Sequence, residues 1–184
     1  DPVFKCIFDK ELIKLKENIK AKSEDIDFIV DCLFFSIYTE NDEAFEFLLD
    51  LILKKNNDSS YEILATKICG NHLLKFSYIE KLLKKAEISK HSKMFIAYSC
   101  FYRNLTLCNY FNQNGIKINE TKFREKYAFD YLMEFGLCNS VQDYRIKKEN
   151  FIGILKIIKN DQNECNFNKS FSQQYKIIIE NIIT

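Results

Sequence analysis

Cys69 and His72 come nearest to catalytic chemistry in type and spacing. Three residues apart on a helix, they would share one face. A neutral imidazole there takes the thiol proton and leaves a nucleophilic thiolate. Gly70 and Asn71 stand between them, so a helix end is expected, with Cys69 buried and His72 in a turn. Neither His72 nor His91 has a second histidine at metal-ligand spacing. Cys32, Cys69, Cys100 and Cys108 contain no C-x-x-C pair. Glu40, Asp42, Glu43 and Glu46 read as a solvated helix end and face. Lys81, Lys84, Lys85, Lys90, His91 and Lys93 form a basic run broken by Glu80 and Glu87. It suits an acidic partner or a phosphate, or is simply an exposed helix and loop; Arg145, Lys147 and Lys148 are a smaller case. The expectation is therefore no catalytic residue, no metal and no cofactor.

Such residues need elements to position them, and the composition asks for helices. Among 184 residues there are one Pro and 4 Gly, too few for the tight turns of a β-sandwich or barrel. Gly70, Gly115, Gly136 and Gly153 are scattered, which excludes a Gly-rich phosphate loop. Lys+Arg 27 against Asp+Glu 26 gives a net charge of +1, so no basic field favours nucleic acid. No apolar run approaches the roughly 18 to 20 residues of a membrane span. Seven widely spaced cysteines, an odd number, read as reduced thiols in a cytosol. The abundance of Lys, Asn, Ile, Phe and Tyr matches A/T-rich codons, as in many intracellular microbes. The first residue is Asp and no signal-peptide pattern follows, so the chain reads as a domain of a longer protein.

Helical periodicity runs through the chain. Val3, Ile7, Leu12, Leu15 and Ile19 predict one amphipathic helix over 3–21. Ser23 is the expected N-cap of the next, over 24–38. Further helices are expected over 42–55, 60–69, 77–87, 91–102, 105–113, 121–137, 147–159 and 169–182. No sustained alternation asks for a sheet. The expected organisation is one all-helical domain over 1–184, clearest as repeats over 33–136. A degenerate repeat and C-terminal capping helices fill 137–184.

Two segments align without a gap. Leu33 to Asn41, running on to Ala44-Phe45-Glu46-Phe47-Leu48, matches Ile96 to Asn104, running on to Leu107-Cys108-Asn109-Tyr110-Phe111. The offset is 63 residues (96 − 33). Tyr78 to Leu83 matches Ala44 to Leu49 between them, so the offset divides into two steps near the 33 residues of a helix-pair repeat. Ala128 to Met133 also matches Ala44 to Leu49, but lies too soon after Leu107 for a whole unit.

This pattern resembles the ankyrin repeat. Ser99-Cys100 stand for the small pair on the first helix and Arg103-Asn104 for the turn. Asn114-Gly115-Ile116-Lys117-Ile118-Asn119 resembles the family's closing loop. Phe135-Gly136 stands like Asn114-Gly115, and a weaker copy turns at Glu149-Asn150. The family's Thr-Pro-Leu-His opening is absent, and Glu40 and Arg103 replace its turn glycine. The resemblance implies a helical-hairpin stack, an ankyrin-like solenoid; another hairpin solenoid and a compact helical bundle are the alternatives. It also implies a scaffold that binds another protein, as part of a larger protein or an effector. The first helices and loops would line the binding side, with Tyr38, Thr39, Phe101, Tyr102, Lys117 and Asn119 facing the partner. A bundle adaptor holding a partner helix and a small cysteine-dependent enzyme are the other functional classes.

Overall fold

A computed structural model describes residues 1–55, 57–85, 91–134 and 141–160, with backbone alone at 141–147 and 159–160. The sequence predicts one domain; the backbone divides into two compact units, Asp1–His91 and Ser92–Thr184. Among the described residues the fold is all-helical apart from one very small sheet.

The first unit runs through α1 (Pro2–Phe8), α2 (Leu12–Ile19), α3 (Ile26–Tyr38), α4 (Asp42–Lys55), α5 (Asp58–Gly70) and α6 (Phe76–Lys85), and α1 packs on α2 and α3 on α4 as helix pairs. The helix predicted over 3–21 is thus two helices. Lys10 takes φ +58 between them, and Glu11 N–H donates to the Cys6 carbonyl at 2.9 Å. No Gly or Pro marks this break, so periodicity ran through it. Asp25, not Ser23, caps α3, accepting from Phe28 N–H at 3.0 Å. Asn57 caps α5 in the same way. Asp42 and Glu43 start α4 and Lys54 and Lys55 end it, which suits its dipole.

Side by side, α1 packs on α3 and α3 on α5, while α2 packs on α4. Phe4 meets Phe28 and Phe35 edge-on across the first of these contacts. α6 is tied to α4 through Tyr78, whose ring stands edge-on to fully buried Phe45 at 5.1 Å.

The second unit contains α7 (Ser92–Phe101), α8 (Leu105–Gln113), β1 (Lys122–Phe123), β2 (Lys126–Tyr127), α9 (Ala128–Glu134) and α10 (Val141–Asn160). α7 packs on α8 and α9, and α10 on α8. Gly115, at φ +78, ends α8, and Ile116 N–H donates back to the Phe111 carbonyl. The helix predicted over 121–137 is instead a tight antiparallel hairpin followed by α9. Its turn residues Arg124 and Glu125 take φ +46 and +65, a geometry that usually announces itself by Asn-Gly. Ala128 to Met133 therefore belongs to a helix packed on α7, not to a second helix of a pair. α10 runs unbroken through Glu149-Asn150, so no turn lies there. Phe135-Gly136 and the helix expected over 169–182 lie outside the described residues.

The 63-residue offset has a local structural counterpart. Asn41 N–H donates to the Ser36 carbonyl at 2.9 Å, and Asn104 N–H to the Ser99 carbonyl at 2.8 Å. Glu40 and Arg103 take φ +52 and +56. The Asn side chains cap α4 and α8 through Ala44 and Leu107 N–H. Ser36 and Ser99 are buried, their hydroxyls donating to their own helix carbonyls. The break at Lys10 repeats the same turn 30 residues before Glu40 (40 − 10). Each such residue gives up roughly 1 kcal/mol of left-handed strain, which the surrounding hydrogen bonds hold in place.

Core volume is exchanged between the two copies. Cys32 and Phe45 in the first correspond to Phe95 and Cys108 in the second, and all four are fully buried. A large and a small side chain have swapped helices, the kind of volume-conserving change that cores tolerate best.

Candidate interaction surface

Tyr38 and Thr39 end α3 as Phe101 and Tyr102 end α7, immediately before the left-handed turn residue. Tyr38 is 58% exposed, and its hydroxyl accepts from Asn71 Nδ2 at 2.8 Å. Thr39 is half-buried and its hydroxyl donates to the Phe35 carbonyl at 3.0 Å, so it completes its own helix end. Sequence reasoning missed two neighbours in kind. Phe8, 68% exposed, ends α1 at the place Tyr38 ends α3, and Leu73, 84% exposed, stands in the loop after α5. Recognising the Lys10 turn as a copy would have found Phe8.

In the second unit the rings form a connected cluster. Phe101 stands edge-on to Tyr102 at 5.0 Å, and Tyr102 stacks near Tyr98 at 6.4 Å. Tyr98 reaches Phe123 on β1, and Phe123 reaches Tyr131 on α9. The Tyr131 hydroxyl donates to the Phe123 carbonyl at 3.1 Å, fixing the small sheet to α9. Cations lie over this and adjoining rings: Arg124 over Phe123, Lys126 over Tyr131 and Arg103 over Phe151. Half-buried Tyr and Phe beside Arg is the composition of interface cores. Lys117 is exposed and bridges Glu120 at 3.0 Å. Asn119 is buried, and its side chain makes no hydrogen bond. It therefore offers no atom to a partner in this conformation.

The basic run finds acidic groups within its own chain. Lys81 bridges Asp42 at 3.1 Å, Lys85 bridges Glu46 and Asp50, and Lys84 bridges Glu80. Lys75 and Lys67 likewise reach Glu40 and Asp31. Most of these bridges join α5, α6 and the loop between them to α3, α4 and their turn. Each is exposed and worth little alone, but together they favour one alignment of these elements. His91 stacks on Tyr61 at 3.7 Å. Lys90 and the side chains of Arg145 and Lys147 lie outside the described residues.

Asp42 links this network to the core. Hydrogen bonds from Lys81 and then Tyr78 hold its carboxyl below the usual range. Burial, followed by that hydrogen bond to Asp42, pushes the Tyr78 phenol up to about 12. The unfolded phenol ionises near 10. Its raised folded value gives a stabilisation that is full below about pH 10 and is lost as pH rises through about 12. The unfolding midpoint of wild type should therefore fall more between about pH 9.5 and 12 than that of Tyr78→Phe. Equal falls would show that this phenol does not report folding.

Cys69 is fully buried in the last turn of α5, whereas His72 is exposed in the following loop. Thiol and imidazole therefore do not open onto one shared surface. Among the described residues no group of three or more His, Cys, Asp or Glu side chains could hold a metal ion. No helix among them is long and apolar enough to cross a membrane. No protein-family model, curated protein or solved structure matches the chain.

Proposed function

We propose that the chain is a non-enzymatic protein-interaction module, an ankyrin-like stack of helical hairpins working in a cytosol. The observation that carries this reading is the left-handed turn shared by the α1–α2, α3–α4 and α7–α8 pairs. Repeated hairpins of this kind bury their apolar faces against one another and leave their edges for recognition. Successive packing of α1, α3 and α5 supports it, as does the aromatic cluster around Phe101 and Tyr102. None of the five described cysteines forms a disulfide, which fits a reducing compartment. Tyr38, Phe101 and Tyr102 serve as anchors, and Phe8 and Leu73 extend the apolar edge of the first unit.

A partner captured from cytosol by the wild-type chain provides the test. Combined Tyr38→Ala, Phe101→Ala and Tyr102→Ala should lower its affinity at least about tenfold, because interface aromatics commonly carry more than this. Helical circular dichroism should persist, since none of the three rings is fully buried. Undiminished affinity would remove this surface from the proposal.

A further inference from the structure

Cys100 and Cys108 face each other across the α7–α8 pair, with Sγ to Sγ 3.9 Å and both side chains fully buried. In the first copy the corresponding positions hold Ile37 and Phe45, so this place in the hairpin has no structural need for sulfur. We propose that the pair is a peroxide-responsive modification site that closes into a reversible Cys100–Cys108 disulfide.

The contact fixes the chemistry. A thiolate of one cysteine attacks hydrogen peroxide, forms an S–O bond and breaks the O–O bond, releasing hydroxide. The resulting sulfenic acid is attacked by the second sulfur, the S–S bond forms, and the oxygen leaves as water. In sum, two thiols and one peroxide give one disulfide and two waters, with two electrons passing from sulfur to oxygen. The sulfurs need to approach by about 2 Å to reach bonding distance, which side-chain rotation and slight helix movement supply. Burial excludes bulky disulfide reagents and admits a small uncharged oxidant. The waiting second thiol intercepts the sulfenic acid before further oxidation. The closed ring contains Phe101, Tyr102 and Arg103, so the bond pins the turn that carries the aromatic pair. The reaction itself holds whether or not those rings face a partner.

The wild-type chain is treated with hydrogen peroxide in native buffer. Free thiols are then alkylated in denaturant, and the chain is cut with trypsin without reductant. Cleavage after Lys93, Arg103 and Lys117 separates peptides 94–103 and 104–117. The expected product is these two peptides joined, two hydrogens lighter than their sum and released by dithiothreitol. Recovery of both as separate alkylated peptides, or as sulfinic and sulfonic acids, would overturn the proposal. So would crosslinks chiefly to other cysteines. Backbone amides of α7 and α8 should also exchange with deuterium at least tenfold more slowly after oxidation, and recover with reductant. Unchanged exchange would mean that no staple forms in the folded chain.

Discussion

Phe45→Ala should destabilise the first unit by about 3–5 kcal/mol, the range for removing a fully buried aromatic ring. The ring is wholly buried on α4 and meets Tyr78 of α6 edge-on at 5.1 Å. Its loss opens a cavity and also removes an aromatic pair worth roughly 0.5–1.5 kcal/mol. Small domains hold about 5–15 kcal/mol in all, so the variant should sit near its unfolding transition at moderate temperature. The damage should be directional. Tyr78 is also, with Lys81, a residue through which Asp42 reaches α6, so α6 amides should lose protection from hydrogen exchange before those of α3. Denaturant titration and exchange together check this; a loss under about 1.5 kcal/mol would mean that the site collapses around the smaller side chain. Phe45→Leu, which keeps most of the volume, should cost much less.

Asn41→Asp should be as harmful as Asn41→Ala, although Asp and Asn are equal helix caps. Asn41 is buried, and its two side-chain atoms do different work. Oδ1 accepts from Ala44 N–H at 3.0 Å and caps α4, while Nδ2 donates to the Ile7 carbonyl at 2.8 Å. The second bond joins the α3–α4 turn to the end of α1. Alanine loses both, about 2–3 kcal/mol from cap and hydrogen bond together. Aspartate keeps the cap but turns a carboxylate oxygen toward a carbonyl oxygen, in a site with little water. It should cost about 2 kcal/mol or more, and the cost should shrink at low pH, where a protonated carboxyl again donates. Asn57→Asp, at an exposed cap, should be close to neutral. Equilibrium unfolding of the three variants decides the matter, and a harmless Asn41→Asp would reduce Asn41 to a simple cap.

Helix type and most boundaries were legible because apolar side chains recur at one-turn spacing and Asn or Asp marks several starts. The correspondence of residues 33–48 with 96–111 was legible too, since Ser36 and Ser99, and Asn41 and Asn104, hold matching hydrogen bonds. What escaped notice shares one cause. Lys10, Arg124 and Glu125 adopt left-handed backbone without the Gly or Asn that normally announces it, so a helix break and a β-hairpin both read as helix. Tyr38 and Phe101 stand at matching helix ends, as the alignment of the two copies implies, but burial of Asn119 depends on α9 and α10 closing over its turn, and spacing does not reveal that. The internal partners of the basic run were not legible, because Asp42, Glu46 and Asp50 lie more than thirty residues away in sequence.

The turn residues carry a consequence for how such a chain can change. Glycine at Lys10, Glu40 or Arg103 would relieve backbone strain, but it would leave the tip of the hairpin blank. The side chains there differ in sign, positive, negative and positive, while the backbone hydrogen bonds beneath them stay the same. At Lys10 and Glu40, whose side chains are exposed, the charge can therefore be exchanged with no change to the core beneath; at Arg103, whose guanidinium lies over the buried Phe151 ring, it cannot.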